Sequence, residues 1–322
     1  MIKKNCELTD IAKILKGAKS VAITPHKNTD GDCFASMFAL NLALKKIGID
    51  SNVCADENLP DFLNFLNGFI NFEILAEIPE TDIIVVVDVS YLERASFKNE
   101  LLGLHKKGKK IIVLDHHPGG NPEDFSDFHY IDTSAASSSE IIYKLIETLG
   151  ILFDKNIATC LMTGIESDTT GFSNLNTTAK TFKIAADLTL KGARLSKINS
   201  AFKEMTLERL QLLGRVMDRL IYNPKLKTAA SYITFKDMEG LGLGSDSTSG
   251  VANTLNTIKE VSVLFLLSEE KPGEIKISMR TRDENINLSE FAKKLGGGGH
   301  PGASGFTIKG SILVENNRVE IV

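Results

Sequence analysis

Aspartate and histidine side chains recur directly after apolar segments in the first half of the chain. Carboxylate and imidazole groups bind divalent cations, and a set without thiolates suits Mn²⁺, Mg²⁺ or Fe²⁺ better than a structural zinc. Six of these side chains are candidate metal ligands: His26, Asp30, Asp32, Asp88, His116 and Asp168. The pattern favours a divalent-metal centre.

The first two segments are ambiguous when each is taken alone. Asp30 and Asp32 flank Gly31, a spacing that lets two carboxylates approach neighbouring cations, but such triplets are also common in solvated turns. His26, four residues before Asp30, favours the metal interpretation. Asp88 closes a run of β-branched residues, where a helix cap or a loop anchor is the alternative.

The other two segments differ in how strongly they indicate a metal site. Asp115-His116-His117 closes an apolar run, and adjacent histidines after an acid are hard to explain structurally, because a carboxylate commonly orients a metal-binding imidazole. Asp168 follows an apolar helical segment, where a helix cap is the alternative and Glu166 is a rival ligand. Taken together, the four segments reinforce one another.

Two divalent ions about 3.5–4 Å apart form a clamp for phosphoryl displacement, in which a hydroxide attacks and both ions stabilise the developing charge. Such a site needs no separate general base. No Walker loop, GxGxxG motif or serine elbow follows any predicted strand, so the competing motifs of nucleotide and acyl chemistry are missing from the sequence.

The elements that position these side chains alternate between strand and helix. Runs with both faces apolar belong in a parallel sheet that helices cover on both sides. The predicted strands are residues 20–24, 51–55, 82–88 and 110–115, with a helix over 33–48. Because ligands bind beyond the carboxyl ends of such strands, we expect the acids and histidines to meet there. The fold class is α/β, with a doubly wound N-terminal domain.

The second half predicts a helical stretch and then a smaller α/β domain. Helices are predicted over 138–149, 155–166, 178–191 and 206–222, and the sequence YNPKLK at 222–227 breaks the run. Strands are predicted near 228–235, 261–267, 274–281, 305–309 and 312–315, with a helix over 288–295. We therefore expect a metal-binding domain over 1–200, a helical linker over 201–227 and a second domain over 228–322.

A glycine-rich segment near the C-terminus is the remaining motif. Four consecutive glycines cost chain entropy on ordering, which a fold tolerates where the backbone approaches a ligand. Its exposed N–H groups could hold an anion, and the guanidinium of Arg280 suits phosphate binding; Arg282 is expected to be a solvated strand end. The candidate substrate-binding residues are Arg280, Gly297, Gly298, Gly299 and His300.

The composition is that of an ordinary globular protein of 322 residues with a net charge of -4. A protein that grips long nucleic acid more often has a basic surface, so small substrates are favoured over long duplexes. Four scattered cysteines, no secretory signal and no apolar run of membrane length indicate a cytoplasmic protein without membrane association. His105 and His129 are expected to be surface residues without partners.

These motifs resemble those of the DHH phosphoesterase family, subfamily 1, with a C-terminal DHHA1 domain. HKNTDGD, VVVD, DHH and GIESDTTGF are similar to motifs I to IV, and GGGGHPGASG is similar to the DHHA1 signature. The length and layout are most similar to the group of stand-alone oligoribonucleases and pAp phosphatases. Two departures are Thr29, where motif I normally has proline, and Cys33, which replaces a small residue.

The resemblance implies roles for individual residues. One metal ion would be bound by His26, Asp30 and Asp88, and the other by Asp32, Asp88, His116 and Asp168, with Asp88 bridging. The resemblance also implies that His117 faces the scissile phosphate, that Asp115 orients the histidine pair, and that the two ions are Mn²⁺. Arg280 and the loop 297–300 would bind the far end of the substrate. A homodimer is expected by analogy.

Three functions remain open at this point. The first is hydrolysis of short RNA or linear dinucleotides such as pApA, with pAp 3′-phosphatase activity. The second keeps the chemistry but acts on cyclic di-AMP, and a pyrophosphatase is a weaker relative of the same kind. The third, from another class, is a protein that senses nucleotides without cleaving them, for which degenerate metal motifs would be expected.

Overall fold

The computed structural model describes residues 5–68, 70, 73–248, 250–315 and 318–322. The chain divides into two compact units, Met1–Glu204 and Met205–Val322. Each unit has its own six-stranded sheet and two clusters of buried apolar side chains.

The first unit is a six-stranded parallel sheet with helices on both faces. The strand order is β3-β2-β1-β4-β5-β6, and every neighbouring pair is parallel. The strands are β1 (Ser20–Thr24), β2 (Asp50–Cys54), β3 (Ile74–Leu75), β4 (Ile83–Val87), β5 (Lys110–Asp115) and β6 (Phe128–Ile131). The helices are α1 (Leu8–Lys16), α2 (Gly31–Lys46), α3 (Lys98–Lys106), α4 (Ser138–Leu149), α5 (Lys155–Thr169), α6 (Ala179–Leu190) and α7 (Leu195–Lys203). The predicted doubly wound α/β class is confirmed.

The alternation of side chains along β4 explains why its sequence is apolar throughout. Ile83, Val85 and Val87 face the core beneath α1, α2, α4 and α5, whereas Ile84 and Val86 face the core that includes Leu101 of α3. Burial of both faces stabilises the sheet at roughly 25 cal/mol per Å² of apolar surface. The strand order reverses between β1 and β4, which is where open α/β sheets bind ligands.

The second unit is a mixed sheet of order β11-β12-β10-β9-β8-β7, with β8 and β9 parallel and the other pairs antiparallel. The strands are β7 (Ile221–Asn223), β8 (Thr228–Ile233), β9 (Val263–Lys271), β10 (Glu274–Thr281), β11 (Gly298–His300) and β12 (Ala303–Lys309), and β13 (Ile312–Glu315) pairs with β14 (Arg318–Ile321). The helices are α8 (Leu207–Asp218), α9 (Phe235–Glu239), α10 (Val251–Leu255) and α11 (Leu288–Lys294).

The segment 201–227 is not a separate linker in the structure. Leu212, Leu213 and Val216 of α8 are buried in the core of the second unit with residues such as Leu264 of β9. The predicted helix over 206–222 ends at Asp218, because the following residues pair with β8 as the edge strand β7. The unit boundary therefore lies between Glu204 and Met205.

Candidate metal centre

The candidate ligands of the first unit meet at the carboxyl ends of three neighbouring strands. His26 lies two residues after β1, Asp88 directly follows β4, and His116 directly follows β5. Asp32 comes from the first turn of α2. Asp168 lies in the last turn of α5, which continues to Thr169 instead of ending at Glu166 as predicted.

Asp88 lies between two histidines. Its Oδ2 is 3.5 Å from Nε2 of His26, and its Oδ1 is 3.5 Å from Nε2 of His116. The backbone of Asp88 has a φ of 66°, a left-handed conformation that non-glycine residues rarely adopt. Such strain persists only where the surroundings impose it, and it is frequent at functional sites.

Each histidine also lies near a second carboxylate. Nε2 of His116 is 3.1 Å from Oδ2 of Asp168, and Nε2 of His26 is 3.8 Å from Oδ1 of Asp30. Glu166, the rival of Asp168, is buried on another side of α5 and belongs to none of the ligand groups described next. The structure therefore brings together all six candidate ligands that the sequence indicated.

Three overlapping groups have ligand atoms within 4.8 Å of one another: His26 with Cys33 and Asp88, Asp88 with His116 and His117, and Asp32 with His116 and Asp168. Cys33 was not among the predicted ligands. Its buried thiol donates to the carbonyl of Val87 at 3.4 Å. Its only signal in the sequence is its position directly after Asp32.

The electrostatics of the cluster fit a cation. Burial, together with the charges of Asp168 and Asp88, raises the pKa of Asp32 well above its usual value. Burial and the charges of Asp30 and Asp88 raise the pKa of Asp168 to about 6. Although burial alone would lower it, Asp30 and Asp88 raise the pKa of His26 to about 11. The raised pKa values of these groups reflect a concentration of negative charge that divalent cations would neutralise.

Asp115 fixes both histidines of the pair. Its Oδ1 accepts hydrogen bonds from the backbone N–H groups of His116 at 2.8 Å and His117 at 3.2 Å, and lies 2.8 Å from Nδ1 of His117. Against the effect of burial, the bonds from His117 hold the pKa of Asp115 below its usual value. The contact leaves Nε2 of His117 as the ring nitrogen directed away from the carboxylate.

The turn between His26 and Asp30 is held by hydrogen bonds that proline could not make. The N–H groups of Asn28 and Thr29 donate to the carboxylate of Glu57 at 2.7 and 2.8 Å, and the Thr29 hydroxyl donates to the carbonyl of His26 at 2.8 Å. Asp30 also accepts from the N–H of Cys33 at 3.0 Å and so caps α2. The helix-cap and metal-ligand interpretations of Asp30 are therefore compatible.

Most of the expected loop 297–300 is a strand. Residues 298–300 form β11, which pairs with β12. A Cβ at Gly297 would lie 2.1 Å from the carbonyl oxygen of Gly305, and one at Gly299 would lie 2.5 Å from that of Ala303. Close approach of the backbones thus explains these glycines without a ligand. Nε of Arg280 donates to Oδ1 of Asn253 at 2.6 Å.

The two remaining histidines differ from the expectation of partnerless surface residues. His129 is buried within β6, with its carbonyl accepting from the N–H of Cys6. His105 is half-buried, and its Nε2 lies 3.5 Å from Oδ1 of Asp127. Both were expected to be exposed because their sequence surroundings are polar, whereas His105 lies on α3 and His129 lies within the short strand β6.

The chain is similar to known proteins over nearly its whole length. The profile of the DHH family, N-terminal domain, matches residues 20–165, and that of the DHHA1 domain matches residues 227–321. A protein of Thermus thermophilus named bifunctional oligoribonuclease and PAP phosphatase NrnA is 30% identical over 93% of this chain and 88% of its own length. The chain belongs to the DHH–DHHA1 phosphoesterase family. As a DHH phosphoesterase it is a metal-dependent hydrolase that acts on phosphate esters.

Two further relatives support this membership. A Bacillus subtilis protein with the same name is 28% identical over 93% of each chain. The crystal structure of an exopolyphosphatase-related protein from Bacteroides fragilis aligns with a TM-score of 0.83 and 25% identity, covering 92% of this DHH phosphoesterase and 89% of that chain. No helix within the described residues is long and apolar enough to cross a membrane.

Proposed function

We propose that this DHH phosphoesterase hydrolyses short oligoribonucleotides and linear dinucleotides such as pApA to mononucleotides, and that it removes the 3′-phosphate of pAp. The observation that carries the proposal is the buried carboxylate and imidazole cluster where the strand order reverses. The names of the relatives from Thermus and Bacillus, which match 93% of this chain, support the choice of substrates.

We propose two Mn²⁺ ions as the cofactors. His26, Asp30 and Asp88 would bind one, and Asp32, Asp88, His116 and Asp168 would bind the other. The position of Asp88 supports its bridging role, because its two oxygens point to different histidines. When bound, such ions supply Lewis acidity toward the phosphate and lower the pKa of an attacking water.

Side chains of the protein orient the reacting atoms. Asp115 and His117 are the proposed catalytic residues: Asp115 holds Nδ1 of His117, so that Nε2 can donate to an oxygen of the scissile phosphate. Burial of the carboxylates beneath the site keeps them fixed, so little reorganisation is required as charge develops. On the second unit, Arg280, Gly297, Gly298, Gly299 and His300 are proposed to bind substrate.

The proposal extends to the cellular setting. The net charge of -4 supports short substrates over long duplexes. The four cysteines, all within the described residues, form no disulfide with one another, which supports a reducing compartment such as the cytoplasm. We propose a homodimer by analogy with the family.

A hydrolysis panel tests the proposed function. It contains pApA, a five-nucleotide RNA, pAp, cyclic di-AMP and pyrophosphate, each with Mn²⁺ and with EDTA. We expect EDTA-sensitive release of AMP from pApA and pAp, and mononucleotides from the RNA. A preference for cyclic di-AMP would change the proposed substrate but not the proposed chemistry. Nucleotide binding without turnover would support a protein that senses nucleotides.

A further inference from the structure

Three consecutive serines begin α4 beside the metal cluster. Ser137, Ser138 and Ser139 are all fully buried. The N–H of Ser138 donates to Oδ2 of Asp32 at 2.6 Å, and its hydroxyl donates to Oδ1 of Asp88 at 2.7 Å. One residue therefore contacts two carboxylates that come from different elements, the first turn of α2 and the end of β4.

We propose that Ser138 is a positioning residue that sets the orientation of the Asp88 carboxylate for binding both metal ions. This inference rests on the proposed function and deepens it. A carboxylate can rotate about its Cβ–Cγ bond, and an aspartate that bridges two ions must present one oxygen to each. The Ser138 hydroxyl holds Oδ1 on the side of His116, which leaves Oδ2 on the side of His26.

The backbone of α4 performs a related task for Asp32. Oδ2 accepts from the N–H of Ser138, and Oδ1 accepts from the N–H of Ser139 at 3.1 Å and from the hydroxyl of Ser36 at 3.3 Å. The N-terminus of a helix also favours a nearby negative charge. These N–H contacts would survive any change of the Ser138 side chain, so the hydroxyl can be tested separately.

The neighbouring serines provide matched controls. The hydroxyl of Ser137 has no hydrogen-bond partner within the described part of the chain and does not cap α4. The hydroxyl of Ser139 pairs with that of Ser36 at 2.7 Å. Three adjacent, equally buried serines thus differ in their partners, and Ser138 is the one whose hydroxyl bonds to Asp88.

The test is calorimetric titration of Mn²⁺ into the EDTA-stripped full chain. Removal of a group that orients a metal ligand commonly weakens metal binding about 10–100-fold. We expect a loss of that size for Ser138→Ala, near-wild-type affinity for Ser137→Ala, and recovery of most of the affinity in Ser138→Thr, which keeps the hydroxyl. Since Ser138 is proposed to contact Asp32 and Asp88 and not the substrate, KM for pApA at saturating Mn²⁺ should stay unchanged while kcat falls.

Thermal unfolding in EDTA shows whether Ser138→Ala is folded. If Ser138→Ala is unfolded, Ser138→Gly replaces it, because glycine also lacks the hydroxyl and is smaller than alanine. The Mn²⁺ affinity of Ser138→Gly then tests the inference. Wild-type affinity in a folded hydroxyl-less variant, or an equal loss in Ser137→Ala, would overturn the inference. If the wild type itself bound no Mn²⁺, the proposed metal centre would fail as well, so the two failures are distinguishable.

Discussion

At the scale of single residues, Asp88 is the side chain on which most of the cluster depends. Both its oxygens lie 3.5 Å from a histidine nitrogen, and the residue is 3% exposed. Asp88→Asn keeps the shape but removes the charge. We expect kcat/KM for pApA to fall by at least about 10³-fold, because metal ions contribute several kcal/mol to such reactions.

The matched control for this change is Asp10→Asn, which alters an exposed carboxylate on α1. It should leave both activity and Mn²⁺ binding unchanged. Full hydrolysis by Asp88→Asn would remove the proposed mechanism altogether.

His117 has a different role from the ligands, and its loss should appear differently. Asp115 holds its Nδ1 at 2.8 Å, so the ring is oriented without a metal ion. His117→Gln should lower kcat for pApA about 10²–10⁴-fold, the usual contribution of a positioned proton donor, while Mn²⁺ affinity falls far less than in Asp88→Asn. His105→Gln, which changes a histidine paired with Asp127, is the control. Equal losses of Mn²⁺ affinity in His117→Gln and Asp88→Asn would make His117 a ligand instead.

The six candidate ligands were indicated by acids and imidazoles that recur after apolar segments, because four such segments reinforce one another although most have a structural explanation when taken alone. This pattern did not indicate Cys33 or Ser138. Neither residue type is unusual at a helix start, and only the packing of α2, α4 and β4 brings them to Asp88. The choice between Glu166 and Asp168 as the ligand likewise depended on where α5 ends.

At the scale of elements, the contact of α5 with α2 and α4 depends on Gly164. A Cβ there would lie 2.0 Å from Oγ of Ser139 and 2.5 Å from Oδ1 of Asp32. Although alanine normally stabilises a helix by about 1 kcal/mol over glycine, Gly164→Ala should destabilise the first unit by about 1–3 kcal/mol through overpacking. It should also weaken Mn²⁺ binding because Asp32 must move.

Gly103 of α3 is the control for this prediction, because a Cβ at that position has no atom within 4 Å. Urea titration measures the stability of both variants, and Gly103→Ala should be neutral or stabilising. A Gly164→Ala variant that matched Gly103→Ala in both stability and Mn²⁺ affinity would contradict the described packing.

In the second unit, Asp237 joins α8 to α9. Nη2 of Arg219 donates to its Oδ1 at 2.9 Å, and Nη1 of Arg215 donates at 3.1 Å. Against the effect of burial, bonds from Arg219 and Thr234 hold the pKa of Asp237 well below its usual range. A lowered pKa means that this stability is present above the unfolded-state value and is lost as the pH falls toward the folded-state value.

Asp237→Asn should therefore lower the free energy of opening of α8 and β8 by about 2–4 kcal/mol at neutral pH. The difference from the wild type should shrink below roughly pH 4, where the unfolded-state carboxyl takes up its proton. Hydrogen exchange of the α8 and β8 amides measures the loss at neutral pH and its dependence on pH. Asp218→Asn, which changes an exposed carboxylate, is the control. If the difference between the wild type and Asp237→Asn grew as the pH fell, the stabilising role of the ionised Asp237 would be contradicted.

Long apolar runs made the central strands predictable, since β4 and β5 lie between two helical layers and need no polar face. Short strands were missed. β3, β7 and β11 have two or three residues each and owe their pairing to neighbours that sequence patterns do not reveal. The same limit explains why β11 was expected to be a loop.

At the scale of the whole molecule, the fold of the first unit was easier to predict from the sequence than that of the second. The order of the motifs indicated a DHH–DHHA1 architecture, and the family matches bear this out. The expected linker was wrong because α8 is amphipathic, and its apolar face is buried by the second unit's own sheet. A break in sequence pattern at 222–227 marked an edge strand and its turn, not a boundary between units.

The proposed function requires this carboxylate and imidazole cluster to cleave short RNA in preference to long RNA. The most direct test compares, at equal concentrations of ends and with Mn²⁺, the hydrolysis of pApA and of a thirty-nucleotide RNA by the wild type and by Asp88→Asn. We expect much faster turnover of pApA than of the long RNA, and we expect EDTA and the substitution to abolish it. Equal rates on the two substrates, or turnover that survives in Asp88→Asn, would contradict it.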